Sequence, residues 1–158
     1  MEPMLNLVGE LIHPEELAIF GDVVIATLLT MVVGYEREKA DKEAGLRTNM
    51  IVGGATCLII LLSKPIILFL ESNYPNSINA DPIRLFEAIV VGISFLGAGT
   101  ILKKKDEHNI YGITTAATLL YSSGIGICVA LHHYLLAVLL TVFILIVNYV
   151  VHRFSKGI

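Results

Sequence analysis

The sequence is divided into five long apolar segments, and most of its charges lie between them. A helix that crosses a lipid bilayer needs roughly 17–25 residues; four segments meet that length and the second falls just short. The chain has 16% charged residues and a mean hydropathy of +0.76, whereas a soluble domain carries about 25% charged residues. The sequence therefore predicts an all-α integral membrane protein with spans at about 16–34, 48–63, 84–102, 113–131 and 134–152.

The basic residues predict the orientation of these spans. With five crossings, nine of the eleven lysines and arginines fall on one side. That side is cytoplasmic, because basic residues are enriched in cytoplasmic loops. The N-terminus is then outside and the C-terminus cytoplasmic. The nine residues are Arg37, Lys39, Lys42, Arg47, Lys103, Lys104, Lys105, Arg153 and Lys156.

The same reading divides the chain into three parts. Residues 1–15 alternate apolar and polar side chains at helical spacing, which predicts a short amphipathic helix on the outer surface. Residues 16–152 form the five-helix membrane domain, and residues 153–158 form a cytoplasmic tail. Residues 66–70, after Pro65, either extend the second span or lie in the membrane interface.

A few polar residues interrupt the apolar segments. Asp22 lies inside the first span, where a carboxylate is costly and marks a candidate functional site; the alternative is that it stays hydrated near the outer interface. Arg84 and Glu87 are three residues apart on the third span, so they can pair. Asp22 and Glu87 together could form an entry site for a cation. Asn148 in the fifth span is expected to bond to another helix.

Two charged hairpins on the cytoplasmic side resemble each other. Each has a glycine where the chain leaves the membrane and a Gly-aliphatic-x-Thr sequence where it returns. They predict a parallel repeat that places two helix N-termini side by side, with the threonine hydroxyls as caps. The arrangement is either an anion site or a structural cap with a snorkelling arginine. The candidate residues are Glu36, Arg37, Arg47, Thr48, Thr114 and Thr115.

Small residues predict where helices approach closely, since they let two backbones come together in a membrane. They are concentrated in the third and fourth spans. The predicted packing residues are Gly92, Ser94, Gly97, Gly99, Ser122 and Gly126.

These same segments resemble the MgtC/SapB family of bacterial inner-membrane proteins. The similar stretches are 34–38 (GYERE), 44–48 (AGLRT), 81–84 (DPIR), 92–99 (GISFLGAG) and 112–118 (GITTAAT). The resemblance implies a multi-pass protein of the bacterial cytoplasmic membrane, linked to growth at low Mg²⁺ and, in pathogens, to survival inside host cells. It also implies regulation of membrane partners, including the F-type ATP synthase.

The sequence departs from the family at a few positions. Ser94 stands where the family usually has glycine, Ala88 and Val91 replace residues that are often small or polar, and Thr114 is asparagine in some members. Virulence-associated members carry a soluble C-terminal domain. Because the sequence ends at Ile158, we expect the membrane domain alone.

Two functions fit these features. The first is a non-enzymatic regulator of Mg²⁺ homeostasis that acts through helix–helix contacts with a membrane protein such as an ATP synthase or transporter. The alternative is a transporter or channel for Mg²⁺ or another ion, working as a homo-oligomer; a structural subunit of a larger complex is the third possibility. The sequence has no catalytic constellation, so we expect no enzyme activity, no cofactor and no nucleic-acid partner. Mg²⁺ remains a candidate ligand or substrate.

Overall fold

The computed structural model describes residues 14–74, 81–103 and 110–155, most of which are helical. The helices are α1 (Pro14–Lys39), α2 (Leu46–Asn73), α3 (Pro82–Thr100), α4 (Ile113–Ala130) and α5 (Tyr134–Ser155). Two short strands, β1 (Leu102–Lys103) and β2 (Ile110–Tyr111), pair antiparallel between α3 and α4.

All five helices are long and apolar enough to cross a membrane, by length and composition. The predicted all-α membrane fold with five spans is therefore confirmed, and the two-residue strands are a small addition to it. The orientation, the hairpin repeat and the division into three parts stay predictions. The predicted amphipathic segment falls outside the described residues except at Pro14 and Glu15, which begin α1.

The second helix is longer than the hydropathy pattern predicts. It continues through Pro65 and ends at Asn73, so residues 66–70 extend this helix. Proline lacks an N–H group and leaves the carbonyl four residues before it without a helical partner. One missing bond is tolerated because the apolar residues on both sides still favour a helix, whose backbone groups bond internally.

The fourth helix is the centre of the bundle. It contacts all four other helices, and half of its membrane-length window is buried, against 11% for both α3 and α5. The inner face of α1 is a stripe of buried residues: Asp22, Ala26, Thr30, Val33, Gly34 and Arg37. Leucine, valine and isoleucine side chains face outward around the bundle, as expected of helices surrounded by lipid.

Two ends of the bundle carry the polar residues. The basic end is the one with Lys39, Lys42 and Arg47, where α1 ends and α2 and α4 begin; the far end is the one where α1, α3 and α5 begin. At the basic end, the chain turns into α4 at Gly112, whose φ of +89° is left-handed. A side chain there would also overlap the carbonyl of Thr100, so this turn requires glycine.

Candidate functional site

A buried arginine organises the polar residues at the basic end. Arg37 in the last turn of α1 is only 5% exposed, and its Nη2 donates a hydrogen bond of 2.7 Å to the hydroxyl of Thr115. That hydroxyl in turn donates to Glu43 Oε2 at 3.0 Å. The chain of bonds joins α1, the loop 40–45 and the first turn of α4. Arg37 Nε is buried without a hydrogen-bond partner among the described residues.

These contacts correct the expected role of the threonines. No side chain caps the N-terminus of α4, since its N-cap residue is Gly112, and the Thr115 hydroxyl bonds to Arg37 and Glu43 instead. Thr114 is exposed, and so are Arg47 and Thr48. The structure therefore brings together Arg37 and Thr115 of the predicted group, and the arginine at its centre is Arg37 rather than Arg47.

Glu43 is the exposed end of this chain of bonds, and its environment favours the charged form. A hydrogen bond from its own backbone N–H, then the Thr115 hydroxyl and the charges of Lys42 and Arg37, lower the pKa of Glu43 below its usual value. A lowered folded-state pKa adds stability above the unfolded pKa of about 4.3. That stability is lost as the pH falls through the folded-state pKa.

We therefore expect Glu43→Gln to lower the melting temperature at pH 7, and this difference to disappear as the pH falls through the folded-state pKa and the wild-type carboxylate becomes protonated. The effect is small, under about 1 kcal/mol, because the side chain is exposed. Melting curves in detergent, recorded at successively lower pH from pH 7, test this expectation. Asp41→Asn, in the same loop, is the control and should keep the wild-type pH dependence; a variant difference that persists at the lowest pH would contradict the assignment.

The loop 40–45 is also held by Asn49, a residue that was not among the predicted site residues. Asn49 in the first turn of α2 is fully buried. Its Nδ2 donates to the carbonyls of Ala44 at 3.0 Å and Gly45 at 2.9 Å, and its Oδ1 accepts from Ser122 of α4 at 2.8 Å. One side chain thus links the loop 40–45, α2 and α4. An asparagine near a helix start normally suggests a cap, so its inward position was not evident.

Glu36 and Asn148 form a further contact at the basic end. Asn148 Nδ2 of α5 donates to Glu36 Oε2 of α1 at 2.7 Å, which confirms that Asn148 bonds to another helix. Glu38 accepts a bond from the backbone N–H of Leu46 at 2.9 Å and so occupies the start of α2. Glu36 and Glu38 at the basic end thus each accept a hydrogen bond from another part of the protein.

The far end holds a separate polar group around Asp22. Its side chain is 9% exposed, and its Oδ1 accepts a hydrogen bond of 2.8 Å from the hydroxyl of Tyr134. His132 Nδ1 lies 2.9 Å from that hydroxyl and 3.5 Å from Asp22 Oδ2. Because Tyr134 gives its only hydrogen to Asp22, His132 Nδ1 must carry a hydrogen to bond with Tyr134. Nothing in the sequence links Asp22 to a tyrosine 112 residues away.

The other two predicted intramembrane residues lie elsewhere. Arg84 is 84% exposed and pairs with Asp81, with Nε and Oδ2 3.7 Å apart, so the expected pair with Glu87 is not the one that forms. Glu87 is exposed on α3. The polar partners of Asp22 come from α5 and the turn before it, and the structure does not join Asp22, Arg84 and Glu87 into one site.

The predicted packing residues fall into two sets. Ser122, Gly97 and Gly126 face other helices: a Cβ on Gly97 would come within 3.1 Å of Ala116, and one on Gly126 would overlap the carbonyl of Gly53. Gly53 itself was not predicted, although its partner Thr30 leaves no room for a Cβ either.

Gly92, Ser94 and Gly99 are exposed on α3. A Cβ on Gly92 or Gly99 would meet nothing within 4 Å, so these glycines do not serve close packing within one copy of the chain.

These polar groups mainly form hydrogen bonds with one another. Among the residues that the structure describes, no group of three or more histidine, cysteine, aspartate or glutamate side chains is placed to hold a metal ion. Asp22 and Glu43 each accept a hydrogen bond from a hydroxyl group of the protein. The arrangement links helices and loops to one another.

The comparison with known proteins agrees with this description. The sequence pattern of the MgtC family matches residues 23–156. The chain is 38% identical over 149 residues to an uncharacterised protein of Haemophilus influenzae, which covers 92% of this chain and 60% of the relative. It is 36% identical to protein SapB of Bacillus subtilis, over 77% of this chain and 51% of SapB.

A third relative carries a functional name. The putative magnesium transporter YhiD of Escherichia coli is 32% identical, over 84% of this chain and 60% of YhiD. The chain thus spans about half to three fifths of the length of these relatives. No solved structure matches the chain.

Proposed function

Because this chain belongs to the MgtC family, we propose that it is a non-enzymatic regulator in Mg²⁺ homeostasis and adaptation to low Mg²⁺. It is a multi-pass protein of the bacterial inner membrane. The name of YhiD supports the connection with Mg²⁺. In this proposal the protein acts by contacting other membrane proteins through its helix faces, and the ATP synthase suggested by the family resemblance is the first partner to test.

The outward face of α3 is the observation that carries this proposal. Gly92 and Gly99 are seven residues apart, so they lie on one face, and both are exposed with open space above the Cα atom. In a membrane, small residues are favoured where another helix approaches closely. Within the described part of the chain nothing fills the space above these two glycines. A helix of another protein, or of a second copy, is the partner that would use it.

The inner polar groups also favour regulation over transport by a single copy. Asp22 and Arg37 are fifteen residues apart on α1, about 22 Å along the helix. The buried residues between them on the inner face are Ala26, Thr30, Val33 and Gly34, and the Thr30 hydroxyl bonds to the carbonyl of Ala26 at 2.8 Å. Mg²⁺ sheds water reluctantly and requires oxygen ligands, so this stretch offers it a poor path.

Transport of Mg²⁺ or another ion by a homo-oligomer is the second candidate. The buried carboxylate of Asp22 favours it, because intramembrane acidic residues commonly mark ion paths, and so does the name of YhiD. A path between copies would not need the interior of one bundle.

Ion flux separates the two candidates. The protein is reconstituted in liposomes that contain a Mg²⁺-sensitive dye, as wild type, Asp22→Asn and Glu87→Gln. Regulation predicts no uptake above protein-free liposomes in any of the three. Uptake by the wild type that disappears in the two variants would instead establish transport and overturn the regulator proposal.

A growth assay tests the helix face directly. Gly99→Leu should abolish the ability of the gene to support growth at low Mg²⁺, because leucine would keep a partner helix away. Gly21→Leu is the matched control, since Gly21 on α1 also has open space above it. Equal growth of both variants, with both proteins present at wild-type levels in the membrane, would contradict a partner-binding role for this face.

A further inference from the structure

The second and third helices diverge and leave a groove between them. Its basic half has a volume of about 290 Å³ and its far half about 580 Å³. Both halves are lined by Ile59 of α2 and Leu85 of α3, so they form one continuous groove along the two helices. α3 packs mainly on α4 and touches α2 at few points, which keeps the groove open.

The walls of the basic half are apolar and partly built from small residues. Ala55 on α2, and Ala88 and Gly92 on α3, line it. A Cβ on Gly92 would meet nothing within 4 Å. The groove can therefore accept a hydrocarbon chain without any rearrangement of the helices.

A lysine lines the far half of this apolar groove. Lys64 is exposed there, and among the described residues no carboxylate lies within ion-pair distance of it. Asp81 also lines the groove, but it is engaged by Arg84 at 3.7 Å and by the backbone N–H of Ile83 at 3.0 Å. A lysine within a membrane span is costly unless it finds a partner or reaches the headgroup region. The site thus offers one free positive charge beside an apolar channel.

The length of the groove suits a lipid acyl chain. Thirteen residues separate Lys64 from Ile51 at the basic limit of the groove, about 20 Å along the helix. One leaflet of the hydrocarbon core is about 15 Å thick, so an acyl chain fits below the lysine.

We propose that the α2–α3 groove binds an anionic phospholipid, with one acyl chain between the helices and the phosphate on Lys64. A lysine ammonium forms charge-assisted hydrogen bonds with a phosphate group, and the apolar walls are suited to the chain. This lipid is distinct from the general bilayer around the bundle because it combines both contacts. The inference shares Gly92 with the regulator proposal but does not depend on it, since Lys64 and the apolar walls of the groove need no protein partner.

The test measures melting temperature in a neutral detergent with added lipid. Dioleoylphosphatidylglycerol is compared with dioleoylphosphatidylcholine, and glycerol 1-phosphate and inorganic phosphate are the headgroup probes without acyl chains. A ligand at about 100 times its Kd raises the melting temperature of a chain of this size by roughly 5 °C or more. We expect that rise with phosphatidylglycerol. With phosphatidylcholine, glycerol 1-phosphate or inorganic phosphate, we expect the melting temperature to rise by no more than roughly 1–2 °C.

Two pairs of variants locate the binding. Lys64→Gln removes the charge, with Lys39→Gln at the basic end as its control. Gly92→Leu fills the groove, with Gly99→Leu as its control, because both glycines have open space above them and only Gly92 lines the groove. Lys64→Gln and Gly92→Leu should each lose most of the phosphatidylglycerol effect, and the two controls should keep it.

Three outcomes would overturn the proposal. The first is an equal response of the wild type and Lys64→Gln to phosphatidylglycerol. The second is a response to inorganic phosphate or glycerol 1-phosphate as large as the lipid response, which would indicate an anion site without a chain. The third is that Gly92→Leu keeps the lipid response but loses a dimer seen by light scattering, which would assign the groove to a helix of a second copy.

Discussion

Replacing Gly126 with alanine is expected to destabilise the folded bundle by about 3 kcal/mol, the upper end of the usual range for overpacking. A Cβ at this position would overlap the carbonyl oxygen of Gly53 and approach Cys57 N to 3.3 Å. Both are backbone groups, so no side-chain rotation can make room. The parallel helices α2 and α4 would have to separate, and α4 contacts every other helix. Unfolding in mixed micelles, followed by loss of helical signal, measures the change.

Gly124→Ala is the matched control for this crossing. Gly124 lies two residues away on α4, and a Cβ there would meet nothing within 4 Å. Alanine is also preferred over glycine inside a helix by up to about 1 kcal/mol, so this variant should be as stable as the wild type or slightly more stable. Similar stabilities for the two variants would contradict a close crossing of α2 and α4.

The Gly126 contact shows how far sequence reasoning reaches in a membrane bundle. Ser122 and Gly126 are recognisable as a small-residue face because their spacing follows the helix period. The partner backbone at Gly53 is not recognisable, since pairing depends on how the helices are arranged and leaves no local pattern. In lipid, apolar side chains suit the outside of a bundle as well as the inside, so the apolar residues that reveal the spans do not reveal their neighbours.

The candidate site shows the same division between local and long-range information. Arg37 and Arg47 both flank the charged loop, and composition alone does not distinguish them. The useful signal is the stripe of small and polar residues on α1 that reaches Arg37 through Asp22, Ala26, Thr30 and Val33, since those residues share the inward face. The bonds from Arg37 to Thr115 and from Tyr134 to Asp22 join residues 78 and 112 positions apart, and only the assembled helices bring them together.

The length of α2 is a third example. The hydropathy pattern predicts that the second span ends near Lys64 and Pro65, because a charge and a proline both commonly end a helix. In the structure the helix runs on to Asn73. The residues that follow, Ile66 to Leu70, are apolar and can only bury their backbone polar groups by staying helical. The sequence therefore left two alternatives for residues 66–70, and the structure shows that they extend α2.

Asn49→Ala is expected to cost roughly 2–3 kcal/mol, because it removes three hydrogen bonds from a fully buried position. The carbonyls of Ala44 and Gly45 lose their donor and the Ser122 hydroxyl loses its acceptor. The loop 40–45 should then detach from the start of α2, and with it the contact of Glu43 with Thr115. Limited trypsin digestion measures this directly: cleavage after Lys42 should be faster in the variant than in the wild type.

Thr48→Ala is the control for Asn49→Ala, and Ser122→Ala isolates the hydrogen bond between α2 and α4. Thr48 is exposed on the same turn of α2, so Thr48→Ala should change neither stability nor the rate of cleavage after Lys42.

A double-mutant cycle of Asn49→Ala with Ser122→Ala should give a coupling of about 0.6 kcal/mol, the usual size of a hydrogen bond between membrane helices. Most of the cost of Asn49→Ala would then belong to the two loop carbonyls. If Ser122→Ala alone were as destabilising as Asn49→Ala, the asparagine would act mainly as a link between α2 and α4, and the loop would be held by other contacts.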